Sequence, residues 1–133
     1  MKELTSREKA QIVAEASLEK AAEEVVALDV RTAVSFADVF VICTGRSDRQ
    51  VRSIADAIEE AVVERGERPL GIEGYDEGRW VLMDLADVIV HVFQHEVRRH
   101  YDLERLWSDA PKLDLHIEEG SPGTPGTGRT PTR

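Results

Sequence analysis

The sequence predicts an α/β fold, a single domain with a mixed sheet of about five strands flanked by helices. Three observations carry this expectation. Residues 39–44 and 88–93 are almost continuously apolar and β-branched, as strands covered on both faces are. After the first of these, Val51, Ile54, Ala55, Ile58, Ala61 and Val62 recur at helical spacing. The third is length: 133 residues favour one domain. A chain of that size removes roughly 68% of its unfolded surface from water without help from disulfides or metals.

Taken in order, Thr5-Ser-Arg-Glu8 has the spacing of a capping box, a hydroxyl followed three residues later by a carboxylate. Ala10, Val13, Ala14, Ser17, Leu18, Ala21 and Val25 then share one helical stripe, with Glu15, Glu19, Glu23 and Glu24 outside it. Small residues dominate that stripe, so the helix is expected close against the sheet. A strand over about 26–31 follows, where Val26, Leu28 and Val30 alternate with Ala27 and Asp29. Gly45 ends the next strand. Ser47 caps the second helix, with Gln50 three residues on, and Gly66 suits its left-handed C-terminal turn.

A short strand near 70–73, a turn at 74–78 and strands at 80–84 and 88–93 come next. Leu85-Ala86 between the last two is short enough for a hairpin. A helix over 95–101 and a helical turn at 103–106 complete the order α-β-β-α-β-β-β-α. Residues 1–117 make the globular domain. Residues 118–133 are a Pro/Gly/Thr-rich tail with no large apolar side chain, expected to be disordered because burial cannot offset its ordering entropy.

The net charge is −9, and because the last thirteen residues hold only Arg129 and Arg133, residues 1–120 carry −11. Such a domain is ill suited to wrapping nucleic acid, which needs clustered Lys and Arg. Its field attracts basic partners, or serves solubility alone. Cys43, the single cysteine, sits in an apolar strand and reads as a core residue. With no signal peptide and no long apolar span, the expected location is the cytoplasm, away from membranes.

Four constellations are candidates for function. Gly45-Arg46-Ser47 leading into a helix resembles the entry of nucleotidyltransferase folds, and with a metal at Asp84 it would make a nucleotide-binding or nucleotidyltransferase-type enzyme. That chemistry needs paired carboxylates, and the strand at 80–84 offers only Asp84, with Asp87 out of register. His91, His95 and His100 lack metal-ligand spacing because a strand-to-helix break falls between the first two. Neither a catalytic set, a metal nor a cofactor is therefore expected. Arg46, Arg49, Arg52, Arg98, Arg99 and Arg105 are interleaved with acids, so they suit at most a minor contact with RNA. The fourth set is Trp80, Asp84, Asp87, Tyr101, Glu104 and Trp107, in a chain with few aromatics. Indole and phenol rings are favoured interface anchors, and carboxylates around them meet Lys or Arg on a partner.

Asp38-Val-Phe-Val-Ile-Cys-Thr-Gly45, Ser47-Asp-Arg-Gln-Val51, Ile54-Ala-Asp56, Glu73-Gly74, Trp80-Val-Leu-Met-Asp84, Asp87-Val-Ile-Val-His-Val-Phe93 and Tyr101-Asp-Leu-Glu-Arg-Leu-Trp107 resemble, in order and spacing, the ribosomal silencing factor (RsfS, or Iojap) family. The resemblance covers about residues 5–110. It implies a nucleotidyltransferase-like topology without transferase activity. It further implies binding to the large ribosomal subunit through the basic protein uL-fourteen, a steric block to small-subunit joining, repression of translation when nutrients are short, and a homodimer when free. The docking role passes by position to Trp80, Asp84, Asp87, Tyr101, Glu104 and Trp107. One departure is Ala86, where the family usually has glycine; a positive φ there would strain alanine.

Overall fold

The computed structural model describes residues 4–102, 105 and 107–115. The elements run α1 (Ser6–Glu19), β1 (Glu23–Asp29), β2 (Val39–Gly45), α2 (Asp48–Glu64), β3 (Gly71–Glu73), β4 (Trp80–Asp84), β5 (Val88–Gln94) and α3 (His95–Tyr101). This is the expected order. The strands form one mixed sheet in the spatial order β1-β2-β5-β4-β3. β2 and β5 pair in parallel at its centre, and every other pairing is antiparallel.

Alternation along the strands separates two faces. On one, Val41 and Cys43 of β2, Val88, Val90 and Val92 of β5, and Val81 and Met83 of β4 meet α1 and α2. α2 lays down Val51, Ile54, Ile58 and Val62, all fully buried. α1 contributes Ala10, Val13 and Ala14, whose small volume lets it lie close to the sheet and to α2. The opposite face carries Phe40 and Ile42 of β2, Ile89 and Phe93 of β5, and Leu28 of β1, under Val97 of α3. Seven consecutive buried residues in β2 follow from its having cover on both sides.

Both expected caps form. Thr5 and Glu8 exchange the two bonds of a capping box, each at 3.0 Å. The Ser47 hydroxyl accepts from the Gln50 amide at 3.0 Å. Gly66, at φ +86°, closes α2 in a Schellman turn, with Gly66 N–H on Val63 C=O and Glu67 N–H on Val62 C=O.

The end of α1 differs from expectation. The apolar stripe continues in sequence through Ala21 and Val25, yet the helix stops at Glu19 and β1 starts at Glu23 rather than near 26. Ala21 takes φ +63° and closes the same Schellman turn, with Ala21 N–H on Leu18 C=O and Ala22 N–H on Ser17 C=O. No glycine marks the stop. A tertiary contact supports it instead: the Gln50 side-chain amide donates to Lys20 and Ala21 carbonyls at 3.0 and 3.1 Å.

The β4–β5 hairpin also carries a left-handed alanine. Asp84 pairs with Ile89 and Leu85 N–H bonds Val88 C=O, leaving Ala86 and Asp87 as the central residues. Ala86 has φ +77°, the pattern of a II′ turn, whose first central position favours glycine. The last described segment runs along β1, with Asp29 N–H on Pro111 C=O and Leu113 N–H on Ala27 C=O. It covers a strand edge that would otherwise be open to pairing. No helix among the described residues is long and apolar enough to cross a membrane.

Candidate partner-docking face

The sheet face opposite α1 and α2 concentrates the rings. Trp80 opens β4 directly across from Phe93, with centroids 4.8 Å apart. Tyr101, the last residue of α3, packs on Trp80 at 4.9 Å and remains 53% exposed. Phe40 stands edge-on to His91 at 5.2 Å and to Trp107 at 5.7 Å. Trp80 and Trp107 are each half-buried. The rings therefore form one connected stripe rather than separate plugs.

Local backbone geometry fixes where the stripe begins. Gly74 has φ +82°, and a Cβ there would stand 2.1 Å from the Trp80 carbonyl oxygen. Only glycine permits the 74–78 turn to fold back on the start of β4. Gln94 locks the same corner, its backbone N–H on Arg79 C=O and its side-chain amide on Gly78 C=O, both at 2.9 Å.

His91 lies within the stripe, 5% exposed, and its Nδ1 accepts the Trp80 indole N–H at 3.2 Å. Burial pushes its pKa down to about 4, so the ring is neutral at physiological pH. Cys43 on the other face is fully buried with its thiol pushed up to about 12 by desolvation, which makes it inert core.

The six residues expected to dock do not all share this face. Trp80, Tyr101 and Trp107 do. Asp84 ends β4 on the same side as Trp80, half-buried, with Oδ1 accepting from Ala86 N–H at 2.9 Å. Asp87 is turned toward α1: its carboxylate receives the Lys9 ammonium at 2.7 Å. Glu104 lies outside the described residues, as do most of the 103–106 turn and the 118–133 tail.

Sequence reasoning passed over two participants. Phe36, 63% exposed in the loop before β2, extends the stripe by packing on Phe40 at 6.2 Å. Its only signal was an isolated aromatic in a polar segment. Lys9 is 3% exposed and bonds Asp87, Glu67 and the Leu85 carbonyl at 2.7–2.9 Å. Burial opposes its charge, but the bonds to Asp87 and Glu67 outweigh this and raise its pKa. Its spacing of four from Val13, on the apolar stripe, was the available clue.

The rival constellations are dispersed. Asp84 is level with Ile89, and Ile89 with Phe40, so Asp84 lies about 17 Å along the sheet from Gly45 at five residues of rise. The Ser47 hydroxyl is engaged in capping α2. Among the described residues no group of three His, Cys, Asp or Glu could hold a metal. His91 is enclosed by rings, and His95 bonds Glu23 at 2.8 Å. In the arginine set, Arg46 pairs with Glu23 at 2.7 Å, which with His95 holds that carboxylate below its usual pKa. Arg98 is buried on the Glu24 carbonyl and Thr44 hydroxyl, both at 2.7 Å. Arg98 is therefore an internal strut, and Arg46 is an exposed side chain engaged by an acid.

Residues 3–131 match the family described as ribosomal silencing factor during starvation. A ribosomal silencing factor RsfS of Bacillus subtilis is 49% identical over 78% of this chain and 88% of its own length. One from Halalkalibacterium halodurans is 43% identical over 84% of this chain and 96% of its own. A crystal structure of a Chromobacterium violaceum protein superposes with a TM-score of 0.78 at 30% identity, covering 91% of this chain and all of that one. A more distant mouse relative, 27% identical over 65% of this chain and 40% of its own length, is named for mitochondrial assembly of the ribosomal large subunit.

Proposed function

This chain belongs to the ribosomal silencing factor family, and from that premise we propose that it binds the large ribosomal subunit through uL-fourteen and blocks small-subunit joining by occupancy. Translation falls because the joined ribosome does not form, and no bond is made or broken. The protein acts in the cytoplasm when nutrients are limiting, and it is a homodimer when free.

The observation that carries this reading is the connected ring stripe on the face free of α1 and α2, in a chain of net charge −9. Trp80, Tyr101 and Trp107 are the anchors, since aromatics that are already partly buried lose little side-chain entropy on docking. Asp84, at the other end of β4 on the same face, supplies a carboxylate for a basic partner. Asp87 is held by Lys9, so it adds to the field rather than to direct contact. Glu104 has its role from the family resemblance alone. The name of the mouse relative supports the large subunit as the particle bound.

Co-sedimentation with purified large subunits tests the reading. Trp80→Glu should leave the circular dichroism spectrum intact and remove the protein from the large-subunit fraction. Undiminished co-sedimentation of that variant would overturn the assignment of Trp80.

A further inference from the structure

We infer that His91 is a positioning residue of the docking face, its Nδ1 holding the Trp80 indole in the orientation that the partner meets. The inference rests on the docking role proposed for Trp80. Trp80 is confined on two sides by Phe93 and Tyr101, at 4.8 and 4.9 Å. Ring packing limits tilt by shape but has little directionality. The bond from the Trp80 indole N–H to His91 Nδ1 at 3.2 Å is directional and fixes which edge of the indole faces the sheet.

The state of the imidazole shows what this arrangement sacrifices. A neutral ring that accepts at Nδ1 carries its proton on Nε2. Nε2 is buried and has no hydrogen-bond partner among the described residues. An unmade bond at a buried N–H opposes folding. The surroundings would suit an apolar side chain better: Phe40 lies edge-on at 5.2 Å and Phe93 is stacked at 6.0 Å with 8° between planes. Leu82 faces His91 across the ladder. A polar ring kept where leucine would fold at least as well is accounted for by its hold on Trp80. Immobilising that indole before docking reduces the entropy lost on binding.

The test uses the full chain and purified large subunits, with His91→Leu, His91→Asn and Trp80→Ala variants. Stability is read by urea unfolding, affinity by titration, and the indole by its N–H signal in two-dimensional NMR. His91→Leu should unfold at the same or higher urea concentration, move the Trp80 indole signal upfield, and weaken binding about 3- to 10-fold, the scale of one side chain's ordering. His91→Asn, whose amide oxygen can stand near the Nδ1 position, should restore the indole signal and most of the affinity. Wild-type affinity in His91→Leu, alongside lost affinity in Trp80→Ala, overturns the inference and leaves the docking reading intact. Full affinity in Trp80→Ala removes the docking reading and the inference with it. Should the leucine variant fail to fold, the wild-type spectrum decides: a Trp80 indole signal at the position of a solvated indole overturns the bond.

Discussion

The Lys9 ammonium sits 2.7 Å from the Asp87 carboxylate, tying the first turn of α1 to the β4–β5 hairpin across 78 positions of sequence. Glu67 adds a second carboxylate at 2.9 Å, from the segment after α2. One cation thus closes three separate parts of the chain over the edge of the core.

Replacing Lys9 by methionine should therefore cost about 2 kcal/mol. Removing one partner of a fully buried pair costs roughly 3–5 kcal/mol. The lower figure applies because the side chains of Asp87 and Glu67 are 35% and 25% exposed and can regain water. Urea unfolding measures the loss. Because the folded pKa of Lys9 is raised, its contribution is complete below the unfolded value of 10.5 and disappears only above that, in strong alkali. A stability equal to wild type at pH 7 would contradict the strut.

Ala21→Gly and Ala86→Gly should each raise stability by roughly 0.5–1 kcal/mol. Alanine in the left-handed region carries about 1–2 kcal/mol of strain, part of which glycine returns through its freer unfolded chain. Ala21 and Gly66 close equivalent turns, at φ +63° and +86°, which makes Gly66→Ala the control expected to destabilise. Urea midpoints of the three variants provide the comparison.

Much of the fold was legible because its signals were local. The continuous apolar runs of β2 and β5, the stripe of α2, and the Thr5 and Ser47 caps depend on neighbours in sequence, and each formed as expected. The end of α1 was not legible: Ala21 turns left-handed with support from Gln50, some thirty residues away. The docking set shows the same division. Residue type singled out Trp80, Tyr101 and Trp107, while the commitment of Asp87 to Lys9 depends on a tertiary pairing that no spacing reveals. Phe36 joins the stripe only because its loop folds beside Phe40.

Acid should destabilise the protein in a window that His91 sets. Its folded pKa is about 4 against an unfolded 6.5, so the unfolded chain binds more protons between those values and stability rises with pH. The neutral ring's contribution is complete above about pH 6.5 and is lost progressively down to pH 4. The loss is roughly 3 kcal/mol at 1.36 kcal/mol per pKa unit. His91→Leu should flatten that limb in unfolding curves taken at pH 4–7. An unchanged slope would show that the imidazole is not buried neutral.

Salt should slow association with the large subunit more than it speeds release. A chain of net charge −9 meeting the basic partner proposed above gains on-rate from long-range attraction, which ions screen over about 8–10 Å at 0.1–0.15 M. Stopped-flow binding at several ionic strengths would show this as a falling association rate constant. A constant rate would remove electrostatic steering and leave the rings as the whole basis of recognition.

The most direct test is the assembly of whole ribosomes from purified subunits, followed by light scattering while this protein is titrated in. Saturating protein should suppress joining when mixed with large subunits first, and Trp80→Glu at the same concentration should not. If subunits joined to the same extent with the wild-type protein in saturating excess, occlusion through the aromatic face would be refuted.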